Sequence, residues 1–204
     1  YMDVDYQAGR KGVEFAAGKG LGLVVMEPNR GGKLAKKPPE AVAKVWENAS
    51  RKRTPVNWAM SWVWDQPEIS VVLSGMSNMP QVEENLAIAE RSRPGMYTNE
   101  DMTTIDKARE AYKKLIPVPC TACRYCMPCP NGVDIPGVFA IYNDAVMYDD
   151  VRAGRFSYRG PAGIKEDARA NNCLECGECL EACPQKIEIP DWMKKVDALL
   201  GDKK

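Results

Sequence analysis

The eight cysteines of this chain all lie between Cys120 and Cys183, and they fall into two short runs. No other feature limits so narrowly what the chain can become. The first run is C-T-A-C-R-Y-C-M-P-C-P, from Cys120 to Pro130, and the second is C-L-E-C-G-E-C-L-E-A-C-P, from Cys173 to Pro184. The second has the spacing C-x2-C-x2-C-x3-C-P at every defined position, and the first shortens the last gap by one residue. The first 119 residues hold no cysteine, so cysteine usage alone divides the chain into two regions.

The spacing has a physical reading. A chain that loops around a cubane-like iron–sulfur cluster can set three thiolates, three residues apart, on three corners. The fourth corner is reached from elsewhere, and the proline after the fourth cysteine turns the chain away. In two-cluster proteins that fourth cysteine serves the other cluster. The predicted ligands are therefore Cys120, Cys123, Cys126 and Cys183 for one [4Fe–4S] cluster, and Cys173, Cys176, Cys179 and Cys129 for the second. Three plainer readings compete. Structural zinc pairs C-x2-C knuckles and does not require the third cysteine found in each run. Disulfides fit poorly in a chain with no visible secretory signal. Free buried cysteines would not cluster in this way.

Composition narrows the partners. The chain has 204 residues, 45% of them hydrophobic, and a formal net charge of zero. Balanced charge argues against nucleic acid or an anionic membrane as partner. No apolar run reaches the roughly 18 residues of a membrane span. The expected setting is cytoplasmic. Histidine is absent, which removes the commonest general base and metal ligand.

The predicted boundary lies at Ile116–Pro119, where P-V-P breaks a helix, giving domains 1–116 and 117–204. The first region reads as alternating helices and strands. A helix is expected over 7–19, and buried strands at Leu21–Met26 and Ile69–Ser74. Val42, Val45, Trp46 and Ala49 mark one helix face, and 55–65 a deeply packed helix. A further helix carries Pro80 in its first turn and turns Val82, Leu86 and Ala89 inward. A last one opens on Thr98 and Asp101, paired as in a capping box, with Met102, Ile105, Ala108, Tyr112 and Leu115 inward. Strands alternating with helices point to βα units on a parallel sheet. The second region is expected to be mostly helical. Its first helix would bury Val138, Phe139, Tyr142 and Val146, a loop would span Gly154–Gly163, and a final helix from Pro190 would bury Trp192, Met193, Val196 and Leu199 or Leu200.

The first region also resembles the carboxy-terminal part of aldo/keto reductases. The segments that carry the likeness are G-L-G-L-V-V-M-E-P-N-R-G-G-K-L, Gly20 to Leu34, and S-G-M-S-N-M-P-Q-V-E-E-N-L, Ser74 to Leu86. With the cysteine runs behind them, nearly the whole chain is similar to the subgroup of that family that ends in a ferredoxin-type domain. The resemblance implies an α/β fold: the last βα units of a partial (β/α)8 TIM-type barrel, followed by a mostly α-helical two-cluster ferredoxin domain. It implies NADP(H) or NAD(H) at the carboxy-terminal ends of the strands. Gly75, Ser77, Gln81, Glu84 and Asn85 would then hold the adenosine phosphate and adenine, and Met26, Glu27 and Pro28 the nicotinamide and diphosphate. Ser77 and Asn78 also precede a helix, where free N–H groups favour phosphate or an ordinary cap. Asn29 stands where the family often has leucine, and Gln81 replaces a basic residue of some members.

The family's catalytic Asp, Tyr, Lys and His come from the first half of its barrel, and the likeness begins near the sixth strand. A closed barrel needs about 250 residues. The chain opens on Tyr1 and not methionine. The expectation is the carboxy-terminal part of a longer protein, or a chain completed by a partner that supplies the missing barrel half. The leading function is then an iron–sulfur oxidoreductase portion that binds a nicotinamide cofactor and serves a redox partner protein. The alternatives are a ferredoxin-like electron carrier or docking module with no catalysis of its own, and a cluster or zinc domain that only stabilises an assembly.

Overall fold

The structure, a computed structural model, describes residues 1–4 and 8–202. The chain divides into two compact units, Tyr1–Tyr112 and Lys113–Lys204. No helix among the described residues is long and apolar enough to cross a membrane.

The first unit runs α1 (Gly9–Gly18), β1 (Leu23–Val25), α2 (Glu40–Glu47), α3 (Pro55–Trp64), β2 (Ile69–Val72), α4 (Met79–Arg91) and α5 (Asn99–Lys113). Gln7, where the first helix was expected to begin, lies outside the described residues. Helix α3 is the buried centre, as its nearly continuous apolar sequence predicts, with Trp58, Ala59, Met60 and Val63 all enclosed. Thr54 starts it by accepting a hydrogen bond from the Asn57 N–H at 3.1 Å. Trp58 stacks on Trp46 of α2, ring centroids 5.3 Å apart. Helix α5 begins with the expected reciprocal cap. The Thr98 N–H donates to Asp101 at 2.9 Å, and the Asp101 N–H donates to the Thr98 hydroxyl at 3.2 Å. Asp101 is almost fully enclosed and is paired with Arg51 at 3.0 Å.

The strands β1 and β2 are parallel neighbours, in register Val24 with Val71 and Val25 with Val72, and they make up a two-stranded sheet. A closed barrel is not formed by the described residues. The strands are also shorter than the apolar runs Leu21–Met26 and Ile69–Ser74, and they are not buried as expected. Val24 is 56% exposed, Met26 73%, Val71 45% and Leu73 47%. A parallel strand is covered on both faces only when layers pack on both sides. Here α1 packs on β1 and α3 on β2, and the face carrying Val24 and Val71 stays open. Helix α4 likewise turns inward through Asn85 and Ile88, while Leu86, expected inside, is 60% exposed. Asn78 accepts from the Gln81 N–H at 3.1 Å, and Asn85 is drawn in by a 3.0 Å bond to Ser74. Met102, also expected inside, sits at the rim of α5.

The second unit contains α6 (Ile135–Met147), α7 (Val151–Arg159), the short α8 (Glu178–Ala182) and α9 (Ile189–Leu200). It is mostly helical, as the sequence implies. Helix α6 buries Val138, Phe139 and Tyr142, but Val146 faces out and Ala145 and Met147 take its place. Helix α9 buries Met193, Val196 and Leu200, with Trp192 and Leu199 at its edge. The loop expected over Gly154–Gly163 is instead largely helix α7. Asp150 caps it, accepting from the Ala153 N–H at 3.0 Å. Gly154 is a close-approach residue there and not a breaker: a Cβ added to it would lie 2.5 Å from the Cβ of Ala145. Tyr158 of α7 is fully buried and accepts a 2.7 Å hydrogen bond from the Ala170 N–H.

Candidate metal centres

Each cysteine run is a chain of tight turns, and the turns are alike. In the first run Ala122 and Arg124 have positive φ, 55° and 64°; in the second Glu175 and Gly177 have positive φ, 55° and 81°. These are the second and fourth residues after Cys120 and after Cys173. A left-handed residue on either side of the middle cysteine curls the backbone tightly around Cys123 and around Cys176. After Cys129 and Cys183 the likeness continues. Gly132 and Lys186 have positive φ, 77° and 52°, and their N–H groups bond back to the carbonyls of Cys129 and Cys183. The segments V-D-I-P, Val133–Pro136, and I-E-I-P, Ile187–Pro190, then lead into α6 and α9. The second unit is thus an internal repeat of turn, turn, cysteine–proline and helix. Only the gap before the last cysteine differs. The second run fills it with α8, while the first, a residue shorter, passes through a cis Met127–Pro128 bond.

The repeat crosses over. One cavity, about 20 Å³, is lined by Cys120, Cys123 and Cys126 together with Cys183. The other, about 200 Å³, is lined by Cys173, Cys176 and Cys179 together with Cys129 and with Cys126 of the first set. Ile135 and Ile189, the first residues of α6 and α9, line both cavities and stand between them. Phe139 of α6 closes the first cavity and Met193 of α9 the second. Cys123 and Cys176, the middle cysteines, are exposed, and Cys183 is buried. The segment leading into the first run is pinned by a side chain: Asn143 of α6 donates to the Val118 carbonyl at 2.8 Å and accepts from the Val118 N–H at 3.0 Å.

The donor chemistry fits a [4Fe–4S] group in each cavity. Soft thiol donors line each space beside mainly apolar side chains, with Thr121, Arg124 and Gln185 on the wall of the first cavity and Asn131 and Glu178 on that of the second. Among the described residues no three cysteine, aspartate or glutamate groups converge as ligands of a single metal ion must. Burial pushes the Cys120 and Cys126 thiols up, and that of Cys179 up to about 11. The proximity of neighbouring cysteines adds to the rise, and at Cys120 the Ala122 N–H, bonded to the sulfur, partly opposes it. Metal binding therefore displaces protons from these groups.

Residues 119–188 match the family described as a 4Fe-4S dicluster domain. The second unit carries a ferredoxin-type iron–sulfur domain. No curated protein and no solved structure matches the chain. The dicluster domain includes all eight cysteines and leaves the nicotinamide-site candidates outside it.

Those candidates gather at one end of the sheet. Met26, Glu27 and Pro28 follow β1, and Gly75 and Ser77 follow β2; the strands are parallel, so both groups leave from their carboxy-terminal ends. Glu27 has a left-handed backbone, φ 51°, and Pro28 is buried. The polar atoms of the set are engaged by near neighbours. Gln81 accepts from the Ser77 N–H at 2.8 Å, Glu84 from the Thr54 hydroxyl at 2.6 Å, and Asn85 donates to Ser74. The sequence displays the matching V-D-I-P and I-E-I-P segments, whose correspondence becomes plain beside the repeated turns.

Proposed function

We propose that this chain is the electron-relaying, nicotinamide-binding portion of an oxidoreductase of the aldo/keto reductase type. The observation that carries the electron-relay part is the crossed arrangement of thiols around two adjoining cavities. Cys120, Cys123, Cys126 and Cys183 would hold one cluster, and Cys173, Cys176, Cys179 and Cys129 the other. A bound [4Fe–4S] group supplies one-electron chemistry. The chain's own residues hold it through thiolates, shield it with Phe139, Met193 and the two isoleucines, and polarise a sulfur through the Ala122 N–H. The nicotinamide part rests on the segments Gly20–Leu34 and Ser74–Leu86 and on their convergence at the carboxy-terminal end of β1 and β2, where parallel sheets bind ligands. The open face of Val24, Met26, Val71 and Leu73 favours further barrel strands, in a longer chain or a partner.

A second reading, a ferredoxin-like carrier without catalysis, is favoured by the bonds that already occupy Gln81, Glu84 and Asn85. One experiment separates the two. The chain is reconstituted without oxygen, its iron and sulfide are measured, and NADPH is titrated in. About eight irons per chain with saturable NADPH binding supports the first reading. Full iron with no NADPH binding supports the carrier. Stoichiometric zinc without sulfide refutes both.

A further inference from the structure

The internal repeat is symmetric in its cysteines and backbone turns, but not in charge. Arg124 lines the Cys120 cavity, and the matching position in the other half is Gly177. Lys186 sits between Gln185 and Ile187, which line the same cavity, and its counterpart is Gly132. Arg124 lines the cavity of Cys120, Cys123, Cys126 and Cys183 and Lys186 flanks two of its lining residues, both at positions where the repeat offers only glycine; Glu188 also adjoins lining residues, but Asp134 matches it in the other half, so it does not distinguish the two. The other cavity has the opposite bias. Glu178 lines it where the first half has Tyr125, and Glu181 adjoins Ala182, which lines it too. Glu175 is also near, but Lys194 neutralises it at 2.7 Å. All four deciding groups, Arg124, Lys186, Glu178 and Glu181, are exposed, so water and salt weaken their effect.

Reduction adds one negative charge to a centre. A nearby cation stabilises the reduced form and raises the potential, and a nearby carboxylate lowers it. We infer that Arg124 and Lys186, set against Glu178 and Glu181, give the two centres unequal potentials, so that an electron settles on the centre held by Cys120, Cys123, Cys126 and Cys183. The internal step is balanced within the chain. The centre held by Cys173, Cys176, Cys179 and Cys129 loses one electron, its neighbour gains it, and no proton or bond changes. Cys126, Ile135 and Ile189 line both cavities and form wall between them that this transfer crosses. The inference rests on the two-centre reading of the dicluster domain and assigns it a direction.

The test is an anaerobic redox titration of the reconstituted full chain with dithionite, followed by electron paramagnetic resonance. Two separate one-electron steps are expected. The pair Arg124→Glu with Lys186→Glu should lower the upper step. The pair Glu178→Gln with Glu181→Gln should raise the lower step and leave the upper nearly in place. Each pair should change the partition of one electron between the centres by roughly tenfold, about 59 mV for a one-electron couple. Should the charge reversal impair folding, Arg124→Gln with Lys186→Gln tests the same point at smaller amplitude. A single unresolved step in the unaltered chain, or two steps that stay put in both charge variants, overturns the inference while leaving two centres intact. A chain that takes up far fewer than about eight irons overturns the two-centre reading itself.

Discussion

At the scale of single residues, the position of each sulfur matters more than the number of sulfurs. Cys183 lies in the second run but faces the cavity of the first, and it is the buried member of that set. Cys183→Ser should therefore cost the chain roughly half of its iron and sulfide. The loss should fall on the centre shared with Cys120, as the cluster signal of a Cys120→Ser chain would match it. A Cys183→Ser signal that matches Cys176→Ser instead would mean that each run serves its own cluster. Backbone conformation is the other residue-scale constraint. Gly177 adopts φ 81° between two ligand cysteines. A β-branched side chain there should cost about 1–2 kcal/mol, because the left-handed region crowds Cβ against the following carbonyl. Thermal unfolding of reconstituted Gly177→Val measures it.

Between elements, two contacts organise the second unit. The close crossing of α6 and α7 depends on Gly154 lying against Ala145. Gly154→Val forces the helices apart, and about 1–3 kcal/mol of stability should be lost, as for other overpacked cores. An unchanged denaturant midpoint would show that the crossing relaxes freely. Asn143 ties Val118 to α6 with two hydrogen bonds, immediately ahead of Cys120. Asn143→Leu leaves the Val118 N–H and carbonyl without these partners, at a cost of about 1–3 kcal/mol. It should also speed loss of iron to a chelator from the Cys120 centre, a readout that a uniformly weakened domain would not single out.

At the scale of the molecule, the two units draw stability from different sources. The first is organised around Trp58 and its apolar neighbours on α3, with no cysteine. The second places both cysteine runs at the border of its core, so metal binding and folding are coupled there. Removing iron without oxygen should raise hydrogen exchange across Cys120–Pro130 and Cys173–Pro184 and leave α3 protected. Equal deprotection of α3 would mean that the first unit also depends on the clusters.

Local spacing carried a great deal. The two C-x2-C-x2-C runs, the cysteine–proline pairs, the Thr98–Asp101 cap and the apolar stretch of α3 are all dictated by neighbours within a few residues. Physics of that range is legible in a sequence. What the sequence did not disclose depends on partners far along the chain. Helix α7 was hidden because glycine usually weakens a helix, and only the distant Ala145 reveals that Gly154 is there for close packing. The strands looked buried because Val24 and Val71 are apolar, and only the layers packed on a sheet decide which of its faces is covered. The cysteines were assigned to two crossed sets by spacing, but it is the tertiary arrangement that places Arg124 beside one set and Glu178 beside the other. Charge acts through space, and that is the quantity a linear pattern does not contain.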